Sequence, residues 1–347
     1  MPTDLPPAAL RLEVDRAALA ANWRLLDGLS GKASAGAAVK ADAYGIGARV
    51  AVPVLREAGC RDFFVTYAAE AADILDLAQP GEIAMLHGLL AAADARFCRE
   101  TGVRPVINSL RQARLWLDSG GGPCDLMIDT GINRLGLAMA ELGDETVQRL
   151  EVGLLLSHLA SADEDRALNH IQLARWQQAR AAIPHARASM ANSAGILLGE
   201  AFHGDVTRPG IALYGGVPRG ELAGRILQVA RPKAAIMQVR TVEAGETVGY
   251  NATWTASCPT RVGAVALGYA DGYLRCWSGR GAMLHAGRRL PVLGRVSMDM
   301  TVIDLTAAPD LGEGDWVEAE YSLPEASALS GLSQYELITL LADRFAR

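Results

Sequence analysis

The sequence has no basic surplus. Its 33 lysines and arginines are outnumbered by 39 aspartates and glutamates, giving a formal net charge of −6 at pH 7. A protein that neutralises the phosphates of a nucleic acid needs the opposite balance, so no nucleic-acid partner is expected. No apolar run approaches the ~18 residues of a membrane span, so no membrane partner is expected either. Cysteine is scarce: Cys60, Cys98, Cys124, Cys258 and Cys276 are scattered, odd in number and never arranged as C-x-x-C. Neither a disulfide framework nor a metal site follows from them. The opening Met1-Pro2-Thr3-Asp4-Leu5-Pro6-Pro7 lacks the basic and apolar regions of a signal peptide. A cytoplasmic protein with reduced cysteines is the expectation. Internal repeats and low-complexity linkers are missing too. What is present is a chain of 347 residues, 50% hydrophobic and 21% charged, enough for a substantial core in one large or two medium domains.

The first two-thirds alternates short apolar runs with longer helical patterns. Asp15 is a plausible N-cap for a helix over 17–26. Strands are predicted at 35–40, 62–65, 82–86, 104–107, 125–128, 152–157, 186–190 and 206–208, with helical stretches such as 68–77 and 109–117 between them. Regular βα alternation argues for a parallel sheet. About eight such units in roughly 200 residues fit a (β/α)8 barrel better than an open sheet. The texture changes near Ala230-Arg231-Pro232. Glycine-bounded β segments follow at 235–242, 261–267, 282–285, 292–296, 300–305 and 315–319, and helical patterns nearly vanish until a terminal helix at 333–341. The expected architecture is an α/β chain: a barrel domain over 1–229 and a smaller, mostly β domain over 230–347. A first strand at 9–14 fits either.

Chemistry gathers where the barrel strands end, the functional rim of such folds. Lys40 follows Ala37-Ala38-Val39, and desolvation disfavours its ammonium. A neutral lysine amine can form a Schiff base with an aldehyde cofactor. Tyr44 supplies a hydroxyl nearby. His158 ends the sixth strand, Asn192 and Ser193 follow the seventh, and Arg208 ends the eighth. The loops after strands seven and eight are a frequent phosphate site; Ser193 is read as opening a helix, and Gly210 permits close backbone approach. Each residue alone has a duller explanation: a surface lysine, a core histidine, a helix cap, a turn arginine. Their shared rim favours the joint functional reading.

The stretch Ala38-Val39-Lys40-Ala41-Asp42-Ala43-Tyr44-Gly45 resembles the cofactor-lysine signature of the alanine racemase family, fold-type III pyridoxal-phosphate enzymes. Further segments match in the same order over nearly the whole chain. Asp129 to Gly136, DTGINRLG, is similar to the barrel loop whose arginine, here Arg134, lies beside the cofactor. Ala266 to Tyr273, ALGYADGY, resembles the segment with the catalytic tyrosine, here Tyr269. Gly294 to Asp299, GRVSMD, resembles the segment whose Met298 and Asp299 receive the substrate carboxylate. Ser333-Gln334-Tyr335-Glu336 resembles the phosphate-contacting tyrosine region.

The resemblance implies a pyridoxal 5'-phosphate isomerase. It implies that Lys40 and Tyr269 are two bases on opposite faces of the Cα carbon, with Tyr269 supplied across a homodimer. Cofactor contacts would come from Lys40, Tyr44, His158, Asn192, Ser193, Arg208, Gly210, Ile211 and Tyr335. His158 and Arg208 would form a hydrogen-bonded chain behind the tyrosine and cofactor. Arg208 would face the ring nitrogen; being always protonated, it cannot take a proton from it. The substrate would be a small amino acid, bound by Arg134, Met298 and Asp299.

One position departs from the pattern. Many members carry a carbamylated lysine seven residues before the loop arginine, and here Met127 stands there. Strand alternation puts Asp125 and Asp129 on the same face as Met127, so one of these carboxylates, or a chloride, is expected to replace the carbamate beside Arg134. Competing readings are a broad-specificity amino-acid racemase, a decarboxylase of similar barrel and β domain, and a non-catalytic pyridoxal-phosphate-binding protein. A decarboxylase favours a carboxylate opposite the ring nitrogen, where this chain offers Arg208. A carrier would need neither the β domain nor Tyr269.

Overall fold

The computed structural model describes residues 8–341 and 344–346; the reading of Met1-Pro7 as free of a signal peptide lies outside them. Two compact units form. One spans Arg16–Leu227, and the other joins the described residues up to Asp15 to those from Gln228 onward. β1 (Leu10–Val14) is followed by helix α1 (Arg16–Leu29). α1 forms because Ala18, Leu19, Asn22, Trp23 and Leu26 recur on one buried face. The Trp23 indole N–H donates to the Ala35 carbonyl (3.1 Å), locking α1 against the first barrel strand.

That strand is broken. β2 (Ser34–Ala35) and β3 (Ala37–Ala38) flank Gly36, where a Cβ would lie 2.8 Å from both the Asp62 carbonyl oxygen and the Phe64 ring. Lys40, read as the strand's last residue, lies beyond it. β4 (Phe63–Val65), β5 (Ile83–Met85), β6 (Arg104–Ile107), β7 (Pro123–Asp129), β8 (Leu137–Ala138), β9 (Glu151–Leu156), β10 (Arg187–Ser189) and β11 (Val206–Thr207) follow. All pairings from β3 to β10 are parallel; β8 only flanks β7. β11 pairs in parallel with β2, and Asp205 and Arg208 N–H groups donate to Ala188 and Ala191 carbonyls, closing the ring. The interior is filled by one side chain after another around it: Phe64, Ala84, Val106, Met127, Leu154, Leu156 and Val206.

The strand starts carry a buried ion network. Arg187 grips Asp62 with two hydrogen bonds of 2.8 Å. Arg104 reaches Asp62 (3.2 Å) and Asp125 (3.0 Å), and Asp125 also accepts the Leu154 N–H (2.9 Å). Burial raises the proton affinity of Asp62, but Arg187 and Arg104 outweigh it and hold the carboxyl below its usual range. At Asp125 burial wins over Arg104, and the carboxyl is pushed up. Network and rim thus occupy opposite ends of the barrel strands.

The β unit is antiparallel. β12 (Ala230–Val242), β13 (Thr247–Val248), β14 (Trp254–Thr255), β15 (Thr260–Val265), β16 (Ala282–His285), β17 (Arg288–Leu293), β18 (Thr301–Asp304) and β19 (Trp316–Ala319) are its strands. The order β12-β15-β18-β17-β16-β19 returns to β12, and β1 adds at β12 with Leu10 opposite Ala234 and Leu12 opposite Pro232. Leu10 and Leu12 point inward and Arg11 and Glu13 outward, so of the two placements left open for this strand the ladder joins it to β12. A helix over Leu323–Ser330 stands where no helical pattern was expected. Short, alanine- and serine-rich and nearly without amphipathic contrast, it shows little periodicity to read. No described helix is long and apolar enough to cross a membrane.

Arg104→Ala strands Asp125 and half of the Asp62 pairing in a dry site. It is expected to destabilise the protein by about 3–5 kcal/mol in urea titration.

Candidate active site

The chain leaves β3 and immediately turns left-handed. Ala41, Asp42, Ala43 and Tyr44 have φ of 52°, 51°, 54° and 59°. For L-residues this costs about 1–2 kcal/mol each, so the surroundings must impose it. They do so with hydrogen bonds. Ala43 N–H donates to the Val39 carbonyl (2.8 Å) and Gly45 N–H to Ala41 (2.9 Å). Asp42 Oδ1 accepts from Ala48 N–H (2.6 Å), at the start of the helix Ala48–Ala58. Glu70 spans two loops: Oε1 accepts from Ala41 N–H (2.8 Å) and Oε2 from Thr66 N–H (2.6 Å). The Tyr44 ring then packs against Tyr214 at 5.0 Å, and the Tyr214 hydroxyl donates to the Ala38 carbonyl (2.8 Å).

This turn holds Lys40 partly buried at the rim. Burial lowers its proton affinity, Arg134 and Arg208 lower it further, and Glu70 opposes them. Arg208 is itself buried. Its guanidinium donates to the Ser189 hydroxyl and the Ser157 carbonyl and lies 5.9 Å from the Phe64 ring centre. Desolvation brings it down to about 10, partly offset by Asp125, so it stays charged at neutral pH. His158 is pushed down to about 3, first by burial and then by Arg208, Arg134 and Lys40. It is therefore a neutral imidazole at pH 7. Gln172 sets its backbone, donating to the His158 carbonyl (2.9 Å) and accepting from Ala160 N–H (2.9 Å). Among the described residues no hydrogen bond joins His158 to Arg208; the expected chain is replaced by Arg208 bonds to Ser157 and Ser189.

Ser193 and Gly210 meet in a polar cradle at the start of the 3₁₀ turn Ile211–Tyr214. The Ser193 hydroxyl oxygen accepts from Gly210 N–H (2.9 Å) and Ala212 N–H (3.3 Å), so two amides and a hydroxyl converge. A Cβ on Gly210 would sit 2.3 Å from the Tyr44 hydroxyl, which is why glycine stands there and how Tyr44 meets the cradle. Asn192 is structural in its visible contacts: Oδ1 accepts from Gly195 N–H (2.9 Å), and its backbone bridges Arg208. Ser193 precedes only a 3₁₀ turn, Gly195–Leu198, rather than opening a helix.

Arg134 is exposed on its loop. Asp129 folds that loop by accepting from the N–H groups of Gly131 (2.8 Å), Asn133 (3.1 Å) and Arg134 (3.0 Å). Among the described residues no carboxylate pairs with the Arg134 guanidinium. The expectation that Asp125 or Asp129 replaces a carbamate there is therefore corrected. Asp125 lies at the far end of β7 with Arg104, Asp129 is occupied by main-chain amides, and Met127 packs in the barrel interior.

The remaining predicted residues lie in the β unit. Tyr269 opens a 3₁₀ turn, Tyr269–Asp271. Its N–H and that of Ala270 donate to the Ser297 and Met298 carbonyls, both at 3.0 Å, so Tyr269 and the Met298-Asp299 loop are neighbours. The Arg275 guanidinium stacks 5.2 Å over the Tyr269 ring. Tyr335, 43% exposed, lies on the helix Gln334–Thr339. Glu70, Gln172, Ser189 and Arg275 were not singled out from the sequence, because each acts through a partner far away in the chain or through a ring contact that carries no motif.

A lysine amine of lowered proton affinity, an amide-and-hydroxyl cradle and a buried arginine at one barrel mouth, in a chain that also has a closed antiparallel β unit, point to a two-domain barrel enzyme of amine chemistry. Residues 14–218 match the family model of the alanine racemase N-terminal domain, and residues 229–347 that of the C-terminal domain. The chain is 40% identical to an alanine racemase of Methylobacterium nodulans, covering 97% of this chain and 95% of that one. It is 39% identical to a catabolic alanine racemase of Agrobacterium fabrum, over 98% and 92%. The crystal structure of the Bartonella henselae alanine racemase with covalently bound pyridoxal phosphate superposes with a TM-score of 0.86, at 33% identity over 98% and 99% of the two chains. The chain belongs to the alanine racemase family, whose members are isomerases.

Two outcomes test this site. Glu70→Ala leaves the Ala41 and Thr66 amides unpaired and should cost about 1–3 kcal/mol in denaturant titration, with Glu70→Gln, which keeps an acceptor, costing less. The depressed His158 makes the folded cofactor-free protein bind fewer protons than the unfolded chain below about pH 6.5. Its contribution is present above that value and is lost as pH falls toward about 3. His158→Gln should flatten the fall in melting temperature over that interval.

Proposed function

We propose that this protein interconverts L-alanine and D-alanine with pyridoxal 5'-phosphate, as a cytoplasmic homodimer. The observation that carries the reading is the joint placement, at one barrel mouth, of Lys40 with lowered proton affinity and a charged, buried Arg208. The residues fit the cofactor: Ser193 with the Gly210 and Ala212 amides and the nearby Tyr44 hydroxyl offers the polar groups a phosphate needs, and the family resemblance adds Ile211, Asn192 and Tyr335 as expected contacts. When bound to Lys40, the cofactor withdraws electrons from the amino-acid Cα and makes its proton acidic.

The chain's own groups do the rest. The Lys40 amine accepts or returns a proton on one face of Cα, and Tyr269 on the other, from the partner subunit. Arg134, with Met298 and Asp299, receives the substrate carboxylate. His158, neutral, cannot repel the cationic groups around it. Arg208, buried and charged, would present a fixed positive charge to the bound cofactor and could not accept a proton from it, which would moderate electron withdrawal and limit side reactions. Dimer formation is supported by apolar side chains displayed on the loops after β4, β5 and β7: Tyr67, Leu90 and Leu135 are 51%, 79% and 41% exposed, more than a covered barrel rim would show.

The test is the visible absorption of protein reconstituted with cofactor, followed by L-alanine and chiral analysis of the product. A visible band absent from Lys40→Ala, with D-alanine formed far faster than amino acids of larger side chain are inverted, is the expected result. No band after reconstitution overturns the reading. Arg208→Glu should raise transamination relative to racemisation. Mixing inactive Lys40→Ala and Tyr269→Ala subunits should restore part of the activity, because one of the two sites in a mixed dimer is intact.

A further inference from the structure

The turn that carries Tyr269 is tied to the Met298-Asp299 loop by a cation from the end of the chain. Asp271 closes the turn, its Oδ2 accepting from Gly268 N–H (2.8 Å). Its Oδ1 lies 3.2 Å from Arg344 Nη1, and the same nitrogen donates to Asp299 Oδ1 (2.8 Å). The Asp271 side chain has no exposure, whereas those of Arg344 and Asp299 are about half exposed. The two loops have no slack between them: a Cβ on Gly268 would sit 2.3 Å from the Met298 carbonyl oxygen. Arg344 is itself anchored, since Ala346 N–H donates to the Leu10 carbonyl (3.1 Å) and Leu12 N–H to the Ala346 carbonyl (2.9 Å).

We propose that Arg344 is a positioning residue that, by bridging Asp271 and Asp299, sets the Tyr269 phenol relative to the loop that receives the substrate carboxylate. One guanidinium nitrogen holds together two carboxylates that would otherwise repel each other. Burial already pushes the Asp271 carboxyl up, Arg344 opposes this and Asp299 adds to it. Without the cation, the buried carboxylate must take a proton or open the turn, and either change moves Tyr269. The arrangement acts on Tyr269, because every group that it bridges lies in the β unit.

The inference rests on Tyr269 as the second base, and the experiment separates the two. Rates and Cα-deuterium isotope effects are measured for both alanine enantiomers with the reconstituted wild type, R344Q, R344K and Tyr269→Phe. R344Q should lower kcat about tenfold, the scale of a small misplacement. It should raise the isotope effect for the enantiomer deprotonated by Tyr269 and not for the other. R344K, which keeps a bridging cation, should recover most of the rate and remains informative if R344Q does not fold. Wild-type isotope effects in R344Q, or equal changes for both enantiomers, overturn the proposal. Full activity in Tyr269→Phe instead overturns the two-base reading beneath it.

Discussion

Everything at the barrel mouth depends on the backbone between Val39 and Gly45. Four consecutive L-residues in left-handed geometry are unstable in isolation, and they persist because Glu70, Asp42 and the Tyr44–Tyr214 contact each hold one part of the turn. The turn does two things at once. It ends the strand so that Lys40 stands at the rim, and it returns the chain so that the Tyr44 hydroxyl meets Gly210 and the polar cradle. A relaxed right-handed turn would send Tyr44 elsewhere. Strain and function are thus coupled through one short segment, and the hydrogen bonds that hold it come from loops distant in sequence.

The same mouth concentrates positive charge. Lys40, Arg134 and Arg208 act on one another and on His158, and every one of these interactions favours loss of a proton from the weaker base. The compensating carboxylates are kept at a distance. Glu70 is spent on backbone amides, Asp129 folds its own loop, and Asp62 and Asp125 are paired with arginines at the opposite strand ends. A mouth so arranged lowers the proton affinity of Lys40 and keeps His158 neutral at pH 7. Met127 belongs to this pattern. It fills barrel volume and brings no charge to the mouth, and the Arg134 guanidinium has no carboxylate partner among the described residues.

The β unit follows a different logic. Its strands close on β12, and two main-chain bonds join Tyr269-Ala270 to Ser297-Met298. Glycine at 268 is required by that close approach. Hence the two segments that resemble family motifs, far apart in sequence, act as one structural piece.

The class of fold was legible in the sequence alone, and so was a set of candidate chemistry-bearing residues. Apolar periodicity marked the barrel strands to within a few residues, because a buried strand must be apolar whatever its neighbours. Short motifs singled out Lys40, Ser193, Arg208 and Tyr269 as candidates, because the proposed chemistry restricts side-chain type at those points. Tertiary structure decided what depends on distant partners. The left-handed turn could not be read from Ala41-Asp42-Ala43, whose local preference is for other conformations; it is held by Glu70, by the Asp42 bond to Ala48 and by the Tyr44–Tyr214 contact. Strand alternation correctly put Asp125 and Met127 on one face, yet Asp125 serves the opposite end of the barrel, because position along a strand decides its partners as much as face does. The helix over Leu323–Ser330 lacked periodicity to announce it. Arg344, near the end of the chain, meets Asp271 and Asp299 only because the chain terminus returns to β1, and no local pattern encodes a contact made by three segments of backbone meeting in space.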